Sequence, residues 1–142
     1  MNIFLDENVN NKMVKPLRML FPAHQFLVAG VDTDKGEDDI PLFPIARDLG
    51  ADLFLTGDID QLDELARPGE RTACRDAGLH WLGLPKVAAR GRLSLYGEFS
   101  VLVGALAYVI DDASVASEPT FFVLKKGPRN RDEIALADCG PL

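Results

Sequence analysis

The chain has 142 residues, 47% hydrophobic and 26% charged, and its 22 acids against 15 lysines and arginines give a formal net charge of -7. This length suits one domain with a core of its own, and the composition is that of a globular protein. The acid excess excludes a broad basic surface for indiscriminate nucleic-acid binding, while a local positive groove or a bound cation stays compatible with it.

Met1 leads directly into an apolar run and an acidic pair, without the basic segment and hydrophobic stretch of a secretory leader. The most hydrophobic uncharged stretch, Phe99 to Ile110, has 12 residues and is too short to span a bilayer. Cys74 and Cys139 lack metal-ligand spacing. Reduced thiols in a cytoplasmic protein are therefore expected.

Asn2 to Leu5 reads as a short buried strand, followed at once by Asp6-Glu7. Val9, Met13, Leu17, Leu20 and Phe21 recur at helical spacing, with Pro16 either kinking the helix or standing in the first turn of one that begins near Val14. His24 to Val28 is a second strand, and Val31 to Asp39 is an acid-rich solvated loop. Asp39 precedes a helical pattern (Leu42, Ile45, Ala46, Leu49) and is placed to cap it, with Pro41 and Pro44 inside and Gly50 at the end.

Ala51 to Leu65 is the central stretch: an apolar strand, Asp52 to Thr56, breaks at Gly57 into Asp58 and Asp60. Short helices are expected after Asp60 and over Glu70 to Ala77, separated by a turn-rich Arg67-Pro-Gly-Glu-Arg-Thr. His80 to Leu84 is a fourth strand, and Lys86, Arg90 and Arg92 form a basic loop. Ser94 to Asp112 carries one broad apolar stripe and is predicted as a helix with Ser94 as its N-cap. Thr120 to Leu124 is a fifth strand, and residues 127–142 are expected to be a flexible C-terminal tail of the single domain.

Strands alternating with helices predict an α/β fold with a mostly parallel sheet covered on both sides. If the second and third strands flank the first, Asp6 and Asp58 face each other across the switch point, where ligands bind in open α/β sheets. Like charges crowded there raise each other's pKa unless a cation lies between them. Oxygen-only ligands without His or Cys suit Mg²⁺ or Mn²⁺, and the chemistry served is phosphodiester hydrolysis. Asp6 and Asp58 are the candidate direct ligands, with Asp39 and Asp60 completing the group. Thr56 is a candidate for hydrogen bonding a ligand carboxylate or a phosphate oxygen, and a structural strand end is the alternative. Lys12 and Arg47, with Arg71, Arg90 and Arg92, are candidate phosphate contacts.

Phe4-Leu-Asp-Glu-Asn8, Asp39 before Leu42 to Gly50, and Leu53-Phe-Leu-Thr56-Gly-Asp58-Ile-Asp60 together resemble the PIN-domain superfamily, in particular its small stand-alone prokaryotic members. The likeness covers residues 1 to about 65. It implies a three-layer α/β/α sandwich with a five-stranded sheet, and a Mg²⁺- or Mn²⁺-dependent ribonuclease with Asp6, Asp39, Asp58 and Asp60 as its acids. RNA is the implied substrate, an antitoxin protein the implied partner, and a homodimer the implied assembly. Gly57 departs from the basic residue common there, and Gln61-Leu62 departs from Asp-Phe. Two other readings use the same residues. One is an inert PIN-like module that binds a partner through the 94–112 helix. The other is a phosphoacceptor receiver domain using Asp6-Glu7, Asp58 and Lys125, although its acceptor position falls on Gly57.

Overall fold

The computed structural model describes residues 1–133, 139 and 141. Five strands, β1 (Asn2–Leu5), β2 (Gln25–Val28), β3 (Leu53–Thr56), β4 (His80–Gly83) and β5 (Phe121–Val123), form one sheet in the order β2-β1-β3-β4-β5. Every pairing is parallel, and Leu5 lies in register with Val28 on one side and Leu55 on the other. The order reverses at β1, so β1 and β3 are neighbours and the switch point lies between their carboxyl ends.

Alternation along the strands divides the core into two layers. Ile3, Leu5, Leu53, Leu55 and Leu82 face α1 (Val14–Leu20) and α4 (Arg92–Val115), packing on Leu17, Leu102, Leu106 and Ile110. Phe4, Phe54 and Trp81 face α2 (Asp39–Asp48) and α3 (Glu70–Asp76), against Leu42, Phe43, Ala46 and Cys74. Phe54 stacks on Phe4 at 5.6 Å and meets Phe43 edge-on at 4.8 Å. Truncating such a ring to alanine costs about 3–5 kcal/mol. The result is a three-layer α/β/α sandwich.

Several boundaries differ from the sequence expectation, each for a local reason. Pro16 stands in the first turn of α1, where its missing N–H costs nothing. Asp39 is not the cap of α2: Asp38, in extended backbone, precedes the helix and Asp39 is its first residue. Pro44 sits inside α2 and removes the donor for Ile40, whose residue is open to solvent. Ser94 does not cap α4. Gly91, at φ 58, turns the chain into a helix starting at Arg92, and the Ser94 hydroxyl donates back to the Gly91 carbonyl at 3.2 Å. The helix also runs past Asp112, because nothing interrupts it before Ala116.

α4 has 24 residues and is long and apolar enough to cross a membrane, unlike the stretch Phe99 to Ile110 considered alone. One side of it packs across the sheet, while Leu93, Tyr96, Tyr108 and Val115 stay exposed. Glu98 turns inward from it and accepts the Val87 N–H at 3.0 Å.

The expected tail, 127–142, falls partly outside the described residues. Its beginning is packed: a Cβ at Gly127 would stand 2.7 Å from the Gly97 carbonyl oxygen and 3.0 Å from its carbon. Both atoms are helix backbone and cannot yield. Gly127→Ala is therefore expected to lift this segment off α4 at a cost of about 1–3 kcal/mol. Limited proteolysis and a thermal melt check it, and digestion beyond Val123 at the native rate with an unchanged melting point would contradict it.

Candidate active site

The chain leaves β1 at Leu5, and the Asp6 N–H continues the ladder by donating to the Leu55 carbonyl at 2.9 Å. Asp6 therefore stays locked beside β3, and alternation turns its side chain toward the α2/α3 layer. Its Oδ2 accepts from the Thr56 hydroxyl at 2.8 Å and from Asn8 Nδ2 at 2.7 Å, and its Oδ1 accepts from the Glu7 N–H at 2.7 Å. Two acceptors on Oδ2 are thus used, while Oδ1 keeps one lone pair to offer. Burial pushes the Asp6 carboxyl above the ordinary carboxylate range, Thr56 opposes that shift, and the nearby Asp39 charge adds to it.

Thr56 is fully buried, so its hydroxyl serves a carboxylate and no phosphate reaches it. It donates to Asp6 and accepts the Asp58 N–H at 3.0 Å, which links the ends of β1 and β3. Asn8 completes the bridge, taking the Gly57 N–H on Oδ1 at 2.6 Å.

Asp58 opens a 3-10 turn (Ile59–Leu62), and its Oδ1 accepts the Asp60 N–H at 3.2 Å. Its Oδ2 takes Arg67 Nη2 at 2.5 Å, and Arg67 Nη1 lies 3.6 Å from Glu70 Oε1. Asp39, first in α2, and Glu70, first in α3, share the wall of a cavity of about 410 Å³ with Glu37, Asp38 and Arg67. Glu70 is only 8% exposed, and its Oε2 has no hydrogen-bond partner. Burial and then the Asp39 charge raise its carboxyl to about 7, with Arg67 opposing.

The structure therefore brings Asp6, Asp39 and Asp58 to one end of the sheet and adds Glu70. Asp60 is exposed and meets Asp58 through its backbone N–H. Among the described residues, no group of three Asp, Glu, His or Cys side chains is arranged to hold a metal ion, and Asp58 pairs with Arg67.

The cationic candidates are redistributed. Arg47 donates to the Ala51 carbonyl at 2.8 Å and pairs with Asp52 at 3.3 Å, at the amino end of β3, so it stands at the wrong end of the sheet. Arg71 lies over the Phe121 ring at 5.2 Å. Arg90 and Arg92 are exposed at the entry to α4. Lys12 is exposed in a 3-10 turn beside Asn10 and Asn11, which line a cavity of about 880 Å³ that also reaches Asp6 and Lys86. Lys86 is the basic group at the mouth: its ammonium donates to the Asn8 carbonyl, and its stem fills the space a Cβ at Gly57 would need. The small residue at 57 is thus matched by a lysine from another loop.

No family model, curated protein or solved structure matches this chain. The geometry alone carries the functional argument. Asn8, Arg67 and Glu70 have no assigned role in the sequence reading, because Asn8 acts across the sheet and Arg67-Pro-Gly-Glu70 reads as a plain turn. The available signal was an acid opening a helix just after Pro-Gly, on the side of the sheet that α2 also covers.

Glu70 has a measurable thermodynamic signature. A carboxyl whose pKa is 4.5 when free and about 7 when folded contributes stability that is complete below pH 4.5 and lost as pH climbs through 7. The loss is about 3 kcal/mol at most. Asp6, also raised, acts in the same direction. Glu70→Gln cannot ionise, so its melting point is expected to gain on the native chain between pH 5 and 8. A constant difference between the two across that range would refute the assignment.

Proposed function

We propose that this chain is a PIN-like, Mg²⁺- or Mn²⁺-dependent endoribonuclease that cuts RNA at the shared carboxyl end of β1 and β3. The carrying observation is the convergence of Asp6, Asp39 and Asp58 there, with Asp6 fixed by Thr56 and Asn8 and Asp39 close enough to raise its pKa. The donor set is all oxygen, and two of its atoms have capacity to spare: Asp6 Oδ1 and the unpartnered Glu70 Oε2. That fits a hard divalent cation. Such an ion, when bound, would lower the pKa of a water and stabilise the charge of the phosphodiester transition state. Asp6, with its orientation set by three hydrogen bonds, and Asp58, at the start of the 3-10 turn, would hold it, with Asp39 opposite. Lys86 offers a positive contact over the mouth for a phosphate approaching this acidic site.

The PIN likeness extends the proposal to an antitoxin partner and to pairing of two copies in the cytoplasm. The exposed Leu93, Tyr96 and Tyr108 on α4 support the second reading, a module whose work is to bind a protein. The receiver reading shares the sheet order, but the residue directly after β3 is Gly57, which has no carboxylate to phosphorylate.

The test is cleavage of a mixed RNA pool with Mn²⁺, with and without a chelator. The native chain is expected to cut only with metal, and Asp6→Asn and Asp58→Asn to fall by roughly 100-fold with unchanged circular dichroism. Equal cutting by the variants would remove the site. A chain that never cuts but captures a protein through α4 would leave the binding module.

A further inference from the structure

We propose that Arg67 is a built-in counter-cation of the acid site, which a divalent ion must displace, and that Glu70 then joins Asp39 and Asp58 as a ligand. The proposal rests on the metal-dependent reading above and names what regulates entry to that site. Arg67 forms a close pair with Asp58 at 2.5 Å, stands 3.6 Å from Glu70 Oε1, and feels the charge of Asp39. Two acids thus share one guanidinium, and a third, Asp39, stands on the same cavity wall. A single positive charge cannot neutralise three carboxylates, and 3.6 Å is too long for a hydrogen bond. Glu70 Oε2 shows the shortfall directly: it is buried without a hydrogen-bond donor, and the group it meets on the wall of the cavity is the Asp39 carboxyl, so a proton or a cation has to stand between the two.

Buried acceptors of this kind are paired in nearly all proteins, so two carboxyls that meet on a cavity wall beside Asp58, with no donor for Glu70 Oε2, form a place where a cation can take over from a shared proton. An ion with oxygen ligands at about 2.1 Å supplies what the guanidinium does not. Arg67 is free to give way. Its side chain is 46% exposed. The turn that carries it is pinned through the backbone, with Arg67 N–H on the Asp63 carbonyl at 2.8 Å and Gly69 N–H on Glu64 Oε2 at 3.0 Å. Only the side chain has to swing, and it swings toward solvent, where an incoming phosphate meets it.

The experiment is Mn²⁺ binding to the full chain, by calorimetry and by the manganese paramagnetic resonance signal, without RNA. Arg67→Gln is expected to bind Mn²⁺ on the order of tenfold more tightly than the native chain, and Glu70→Gln on the order of tenfold more weakly. Arg67→Lys, which keeps the charge, stays near the native value. If native and both neutral variants bind alike while Asp6→Asn does not, the counter-cation role is overturned and the acid site survives. If neither the native chain nor Arg67→Gln binds Mn²⁺, both readings fall together.

Discussion

The hydrogen bond from Thr56 to Asp6 is the constraint on which the site depends. It joins residues 50 apart in sequence across the one place in the sheet where the chain direction of travel reverses, and it is fully buried. A buried hydroxyl left without its partner is costly, and so is a buried carboxylate. Each therefore holds the other in place, and the Asp58 N–H on the same hydroxyl fixes where the chain goes next. The sheet below provides rigidity: Phe4 and Phe54, two residues back from Asp6 and Thr56 on the same face, are stacked and sealed under α2.

Above that base the electrostatics are deliberately unbalanced. α2 and α3 lie on the same side of the sheet and each begins with an acid, Asp39 and Glu70. Positive helix ends favour a carboxylate there, but the effect is small beside desolvation of the kind that raises Glu70. Arg67 offsets part of the charge from its exposed position, and Lys86 faces the other flank over Gly57. Both cations come from loops, while the acids come from strand ends and helix starts. Fixed acids with movable bases suit a site that exchanges its counter-charges.

The strands were legible because short apolar runs broken by acids or glycines are unambiguous at β1 and β3. The acids at 6, 39 and 58 were legible for the same reason. What escaped was anything decided by partners far along the chain. Arg47 looked available until Asp52 and the Ala51 carbonyl claimed it. Thr56 could be assigned to a phosphate only while its burial was unknown. Asp39 and Ser94 were plausible caps by type, but Asp38 and Gly91 hold the backbone angles that start those helices. Glu70 was invisible because its significance is an empty oxygen, a property of packing and not of residue order.

The all-parallel sheet sets the order in which the molecule can be assembled. Among the described residues no hairpin is there to nucleate it, since each strand must wait for a helix or long loop to bring the next alongside. During synthesis β1 and β2 emerge first and can only form a two-stranded ribbon, a unit with little stability of its own. β3 must then dock on the free side of β1, after which β4 and β5 add in turn to one growing edge. The end of the sheet that gathers the acids is thus set as soon as β3 docks, while the long helix that seals the opposite layer follows only after β4.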